Sequence, residues 1–197
     1  MSIPGLISQR RGALIFAVLL TCAVTATACS NGSSSSTSTT SSSSSAKSLL
    51  AQGLAAQKAG NFSLASSYYH QAVAADPTDA GHIAAVAYYD LGVIEQQAKN
   101  TDGAIAYYKN TIALYPQYQP AIFNLAIAYT PKNPTKALEL YNQLLVYNPT
   151  DANALFNSGL LAYQLGNPTL GVQRIKQAIA ITPSLATRVP ANVNLNQ

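Results

Sequence analysis

The sequence predicts an all-α protein, an α-solenoid of about four helical hairpins, and three observations support this prediction. Prolines that each follow a helix-like stretch recur after 39, 33 and 34 residues, at Pro77, Pro116, Pro149 and Pro183. A period near 34 residues is typical of one helical hairpin that is repeated. Between the prolines, apolar residues recur every three or four positions, which is the spacing of a helix rather than a strand. A hairpin of this size cannot bury its apolar face alone, so neighbouring hairpins must stack.

Residues 1–28 have the composition of a signal peptide. Two arginines precede an apolar run, and the run ends in the small residues Ala26-Thr27-Ala28. A basic start, a short apolar core and small residues before a cleavage site are typical of a secretory signal. Cys29 follows directly, and this arrangement resembles a bacterial lipoprotein signal. That resemblance implies that Cys29 receives diacylglycerol and becomes the new N-terminus.

Three interpretations of Cys29 remain open at this point. It is a lipid attachment site, or it is the first residue left by ordinary signal peptidase. In the third interpretation the apolar run stays uncleaved as a membrane anchor, although it is at the short edge for spanning a bilayer. We expect lipid attachment, which would hold an exported protein at the cell membrane, facing outside the cytoplasm.

Residues 29–45 form the next segment, and from Ser33 to Ser45 it contains only serine and threonine. Such a stretch has no apolar surface to bury, so we expect a disordered, lipid-anchored linker. The repeats follow at 46–77, 85–116, 119–149 and 152–183. The remaining tail, 184–197, contains Pro190 and little apolar periodicity, so the final hairpin is expected to lack the capping helix that solenoids usually need.

The four units share one pattern of small and large side chains. The shared residues are Leu49, Gly53, Ala65, Tyr69, Ala72 and Pro77 in the first unit, Tyr88, Gly92, Ala104, Tyr108, Thr111 and Pro116 in the second, Ile122, Ala126, Ala137, Tyr141, Leu144 and Pro149 in the third, and Leu155, Gly159, Gly171, Ile175, Ala178 and Pro183 in the fourth. This pattern resembles the tetratricopeptide repeat family, in which the small residues let paired helices pack closely. The resemblance covers about Ala46 to Pro183.

Turn and cap residues agree with eight helices. Asn61, Thr101 and Asn167 stand in the turns within hairpins, where a side-chain oxygen can accept from a free backbone N–H. Asp79 and Asp151 stand where the next first helix should begin, close to its positive dipole end. The junction between the first two units carries extra residues, which predicts an extended first helix in the second unit.

Composition excludes several classes of function. The net charge of the whole chain is +4, and loss of the two arginines with the signal peptide lowers it to about +2. No basic run is present, so nucleic acid is not an expected partner. His70 and His82 belong to no metal-spaced cluster, and no carboxylate pair suits acid–base catalysis. We therefore predict no enzyme activity, no cofactor and no metal site.

The family resemblance implies that the first helix of each hairpin lines a concave groove. The residues that it assigns to peptide binding are Tyr89, Asp90, Val93, Phe123, Asn124, Ile127, Phe156, Asn157 and Leu160. Asparagine suits this role because its amide supplies a donor and an acceptor to a peptide backbone.

These observations together predict an envelope-anchored scaffold or adaptor. Its groove would bind an extended or helical segment of another envelope protein, and its lipid would bind the membrane. An alternative function is an accessory module of an envelope enzyme system that binds a glycan or a lipid fragment. Self-association through the ends of the array is a further possibility that the sequence leaves open.

Overall fold

The structure is a computed structural model, and it describes residues 38–79 and 81–195. Within these ranges the chain is helical and contains no strand. The helices are α1 (Ser38–Lys58), α2 (Phe62–Ala75), α3 (Ile83–Gln97), α4 (Thr101–Leu114), α5 (Gln119–Tyr129), α6 (Pro134–Tyr147), α7 (Ala152–Gln164), α8 (Pro168–Ile181) and a 3-10 helix (Pro183–Arg188). The predicted all-α fold is thereby confirmed. Cys29 and the signal segment lie outside the described residues.

Each helix packs on its neighbours in sequence. α1 pairs with α2, α3 with α4, α5 with α6 and α7 with α8, and successive hairpins meet through α2–α3, α4–α5 and α6–α7. One core cluster joins α1, α2 and α3, a second extends from α4 to α7, and a third joins α7 and α8 to the 3-10 helix. Stacking of this kind gives the one-dimensional architecture of a repeat array.

Side-chain caps fix the start of the helices. Asn61, Asn100, Asn133, Asp151 and Asn167 each accept a hydrogen bond from the backbone N–H three residues later, over 2.9–3.2 Å. These bonds satisfy donors that the first helical turn leaves free. The sequence interpretation was wrong at α4, where Asn100 caps the helix and the predicted Thr101 is already its first residue.

The junction between the first two hairpins contains a turn, followed by a first helix with a short extension. α3 begins nine residues before Gly92, whereas α7 begins seven residues before Gly159, so the predicted extension is confirmed for two residues. α3 begins at Ile83, and both Asp79 and His82 have positive φ angles, 50° and 56°. The buried Asp79 carboxylate accepts from the backbone N–H of Ala85 at 3.1 Å, and its other oxygen lies 3.3 Å from Nδ1 of His82. These bonds hold the left-handed turn, so most of the extra residues adopt no helix.

Two expectations at the ends of the array need correction. α1 begins at Ser38, so the last part of the serine and threonine segment is helical instead of a disordered linker. Serine has middling helix propensity, and the packed turns from Ala46 onward allow the helix to extend backwards. At the other end, the 3-10 helix inserts Leu185, which is 3% exposed, against Phe156 and Ile175, so the final hairpin is covered.

None of the helices within residues 38–79 and 81–195 is long and apolar enough to cross a bilayer.

Candidate binding groove

Small residues bring the two helices of each hairpin into close contact. A Cβ atom built at Gly53 would lie 2.5 Å from the ring of Tyr69, and one built at Gly92 would lie 2.5 Å from the ring of Tyr108. Both tyrosine rings are fully buried, so they have no room to move aside. The predicted close contacts at these glycines are confirmed. They allow a tyrosine of the second helix to pass beside the first helix.

The hydroxyl groups of these buried tyrosines connect one hairpin to the next. Tyr108 donates to Oε1 of Gln96 in its own hairpin at 2.7 Å and accepts from the Asn124 amide of the next hairpin at 3.5 Å. Tyr141 accepts from the Asn157 amide at 3.2 Å. We call these hydrogen bonds the tyrosine–amide ties. Tyr108 thereby joins the first helices of the second and third hairpins, and Tyr141 joins the third hairpin to the first helix of the fourth.

Asn124 and Asn157 therefore have a packing role that the sequence did not reveal. The amide nitrogen of Asn124 bonds the hydroxyls of Tyr89 and Tyr108, and that of Asn157 bonds Tyr141. Their side chains are half-buried, and their carbonyl oxygens take part in no hydrogen bond found among the described residues. The two asparagines can thus support packing and still offer an acceptor to the groove.

Asp90 occupies the equivalent place at the junction of the first and second hairpins. It is only 8% exposed, and its Oδ2 atom has no hydrogen-bond partner. Burial raises its pKa to about 6, and its charge in turn raises the pKa of Tyr69 and Tyr89, after the larger effect of their own burial. An ionised carboxylate cannot donate to the Tyr69 hydroxyl as an amide would, so this junction lacks the tie.

Two pockets open on the side of the first helices. The aromatic pocket, of about 350 Å³, is lined by Tyr89, Gln119, Pro120, Phe123, Asn124, Leu144, Asp151 and Asn153. The carboxyl-end pocket, of about 420 Å³, is lined by Ile127, Thr130, Pro131, Tyr141, Asn157, Leu160, Leu161, Gln164 and Arg188. Both pockets combine apolar side chains with amides, and both involve α5 and α7. We call the two pockets together the groove.

Most of the predicted peptide-binding residues line the groove, and three do not. Tyr89, Phe123 and Asn124 line the aromatic pocket, whereas Ile127, Asn157 and Leu160 line the carboxyl-end pocket. Val93 packs half-buried against the core. Asp90 is buried, and so is Phe156, which is 2% exposed beneath Leu185. Asp90 and Phe156 are therefore not accessible to a partner in this structure.

The groove also contains residues that the sequence interpretation missed. Asp151 was recognised as a cap but not as a lining residue, while Gln119, Asn153 and Arg188 were not singled out. Arg188 comes from the tail, and its guanidinium lies 5.3 Å from the centroid of the Phe156 ring. Gln119 and Asn153 both stand at the start of a first helix. The sequence could have identified them as lining residues only if the exact bounds of these helices had been known.

The side chains that could bind a metal ion include two histidines in the part of the chain that the structure describes. Residues 38–79 and 81–195 contain no group of three His, Cys, Asp or Glu side chains that could hold a metal ion. The His82 ring stacks on Tyr115 at 4.1 Å, and His70 lies beside Tyr107. Both histidines thus make aromatic contacts.

Comparison with known protein families gives a match over residues 50–118 and 132–186 to the tetratricopeptide repeat model. The chain belongs to the tetratricopeptide repeat family. Among curated proteins it is similar to cellulose synthase 2 operon protein C of Komagataeibacter xylinus, with 28% identity over 156 residues. The match covers 71% of this chain but only 12% of that much longer protein.

Solved structures of repeat proteins share the fold. A tetratricopeptide repeat protein from Parabacteroides merdae has a TM-score of 0.65 and 23% identity, over 71% of this chain and 54% of that one. MamA has a TM-score of 0.62 and 25% identity, over 72% and 81%. YrrB, described as having an unusual peptide-binding site, has a TM-score of 0.60 and 18% identity, over 75% and 76%. Tetratricopeptide repeats commonly serve as protein-interaction scaffolds, which is the general class of function that these matches support.

Proposed function

We propose that this chain is an envelope-anchored scaffold whose groove binds an extended segment of another envelope protein. The observation that carries the proposal is the groove itself, which offers apolar side chains and fixed amides along two adjacent first helices. A small-molecule site buries most of its ligand in one cleft or cavity, whereas a groove that is lined by several repeats suits a chain-like ligand.

The asparagines supply the backbone contacts in this proposal. The tyrosine–amide ties hold Asn124 and Asn157 in one orientation, so each presents its carbonyl oxygen without further ordering. An extended peptide exposes N–H groups that such oxygens accept. Apolar side chains of the peptide would contact Phe123 in one pocket and Ile127 and Leu160 in the other. Rigid acceptors lower the entropic cost of binding.

The anchor is proposed from the sequence of the N-terminal segment. Cys29 directly after Ala26-Thr27-Ala28 supports lipid attachment there. The lipid would hold the repeats at the membrane surface outside the cytoplasm, where an envelope partner is accessible. The likeness to a cellulose synthase operon protein supports a host process in the cell envelope. Mass spectrometry of the N-terminal peptide tests the anchor, and an unmodified Cys29 or an intact signal segment contradicts it.

Site-specific crosslinking tests the groove in living cells. A photoreactive amino acid at Ile127, which is 38% exposed, is expected to give one discrete protein adduct. The matched control is Val146, which is 77% exposed on α6 and lines neither pocket. The adduct from position 127 should disappear when Leu160→Asp is added, because a charge in the groove repels an apolar segment. Equal adducts from both positions would contradict binding in the groove.

A second candidate function is an accessory module that binds a glycan or a lipid fragment. The composition of the aromatic pocket favours it, because Tyr89 and Phe123 lie beside the planar polar groups of Gln119 and Asn153. Aromatic faces and amides are also what a neutral sugar requires. A glycan array probed with the purified protein tests this function. Binding that is lost in Phe123→Ala and kept in Ile127→Ala would support it.

A further inference from the structure

We propose that the groove recognises a partner segment that carries two opposite charges about six residues apart. The basic side chain of the segment would enter the aromatic pocket, and its acidic side chain would enter the carboxyl-end pocket. This inference rests on the proposed function, because it names the chemistry of the segment that the scaffold binds. It follows from three observations, which are the charge of each pocket and the distance between them.

The aromatic pocket has a negative character. Asp151 uses one carboxylate oxygen to accept from the backbone N–H of Ala154 at 2.9 Å, which leaves the other oxygen available to a ligand. Asp90 lies buried next to Tyr89 and has an oxygen without a partner. No lysine or arginine is among the residues that line this pocket. The rings of Tyr89 and Phe123 add faces that attract a cation.

The carboxyl-end pocket has the opposite character. Arg188 lines it, and its guanidinium is held over the ring of Phe156. The ion pairs found in residues 38–79 and 81–195 are Asp79–His82, Asp102–Lys132 and Glu139–Lys136, so Arg188 takes part in none of them. Because the face of the Arg188 guanidinium already stacks on a ring, the N–H groups at its edge can donate to a carboxylate. Asn157 and Gln164 line the same pocket as neutral donors and acceptors.

The length of α7 sets the distance between the two charges. Asp151 caps its start, whereas Leu160 and Gln164 lie towards its end beside Arg188. At 1.5 Å per residue the helix separates these positions by about 15–20 Å. An extended chain advances about 3.3 Å per residue, so this span corresponds to about five or six residues. A bipolar segment of that spacing places each charge in its complementary pocket.

The bipolar arrangement also disfavours other ligands. A nucleic acid or an anionic lipid surface would be repelled by Asp151 and the buried Asp90. A uniformly basic segment would be repelled by Arg188. Electrostatic complementarity of this kind mainly sets specificity and register, while apolar contacts supply most of the affinity.

A peptide array probed with the purified full chain in detergent tests the inference. The array carries ten-residue peptides with an alternating valine and serine background. Each contains one lysine and one glutamate separated by two to eight residues, in both orders. Matched peptides replace the lysine or the glutamate by glutamine. We expect the strongest binding at a separation of five or six residues in one order, with a loss of about threefold to tenfold for each neutralised peptide.

Variants of the protein assign the charges to the pockets. Asp151→Asn keeps the helix cap, because asparagine caps as well as aspartate, and should remove the preference for lysine only. Arg188→Gln should remove the preference for glutamate only, and Arg188→Glu should replace it by a preference for lysine. Asp102→Asn and Lys176→Gln, whose residues line neither pocket, are matched controls that should change nothing.

Two outcomes overturn the inference, and they differ in what else they contradict. If wild-type protein binds the peptides regardless of charge and separation, the bipolar segment is wrong while the scaffold function stands. If it binds none of them, and the Ile127 crosslink is also absent, both the inference and the proposed function fail. Persistence of the charge preferences in Asp151→Asn and Arg188→Gln likewise overturns the inference.

Discussion

Replacement of Asp90 by asparagine is expected to stabilise the folded protein at neutral pH. Asp90 is 8% exposed and has an unpartnered oxygen, and burial raises its pKa to about 6 from the ordinary value of 3.8. That difference is about a hundredfold in proton affinity, and each factor of ten corresponds to about 1.4 kcal/mol. The ionised carboxylate therefore costs the folded state about 2–3 kcal/mol near pH 7.5.

The sign of the pH dependence follows from the raised pKa. Because the folded protein holds the proton more tightly, the stabilisation from protonated Asp90 is complete below about pH 4 and is lost as the pH rises through about 6. Asparagine is neutral at every pH and can donate to the Tyr69 hydroxyl, as Asn124 does to Tyr108. The gain in Asp90→Asn should thus be about 2–3 kcal/mol near pH 7.5 and close to zero near pH 4.

Urea unfolding followed by circular dichroism measures both values. Asp102→Asn serves as the control, because its carboxylate is exposed and pairs with Lys132 on the surface, so the free energy of unfolding should change by less than about 0.5 kcal/mol at either pH. A loss of stability in Asp90→Asn, or the same gain at both pH values, would refute the reasoning. The first result would mean that Asp90 has a stabilising partner, and the second that its charge is irrelevant.

Three further predictions concern packing. Gly92→Ala should lower the free energy of unfolding by about 1–3 kcal/mol in urea unfolding, because its Cβ would overlap a buried tyrosine ring, whereas Gly81→Ala, with ordinary contacts, should have little effect. The double variant of Asn124 and Asn157 to alanine should lose about 1–3 kcal/mol together with partner affinity, since three tyrosine hydroxyls lose donors. Affinity lost at full stability would contradict the ties. Leu185→Ala should cost about 2–4 kcal/mol and speed hydrogen exchange in α8, and unchanged exchange would show that the tail is no cap.

The repeats were predictable from the sequence because their signals are local. Pro77 and Pro116 stop helices through their local backbone geometry, which does not depend on the rest of the fold. Gly92 and Tyr108 form a pair of one small and one large residue at a fixed spacing. The same logic reached the groove residue Phe123, since its position within the repeat fixes the face of α5 on which it lies. Local chemistry and period suffice for these features.

The remaining features depend on contacts between distant residues. Asn124 lines the aromatic pocket, but its bond to Tyr108 joins residues from different hairpins, and the spacing of residues within a repeat does not predict that bond. Phe156 has the pattern of a groove residue but is buried in a core cluster that includes Leu185 of the tail. Arg188 enters the groove from a segment without apolar periodicity. Such tertiary contacts decide whether a side chain lies in the groove or in the core, even where its position in the repeat predicts otherwise.

The series of tyrosine–amide ties also makes one junction different from the others. Asn124 and Asn157 join the second hairpin to the third and the third to the fourth, but Asp90 leaves the first junction with an unpaired charge. The same junction contains the left-handed turn at Asp79 and His82. In a repeat array, stability is a sum of hairpin and interface contributions, so replacing the unpaired charge by an amide tie should stabilise this junction. The groove lies over the tied hairpins, which are the ones whose geometry is fixed before a partner binds.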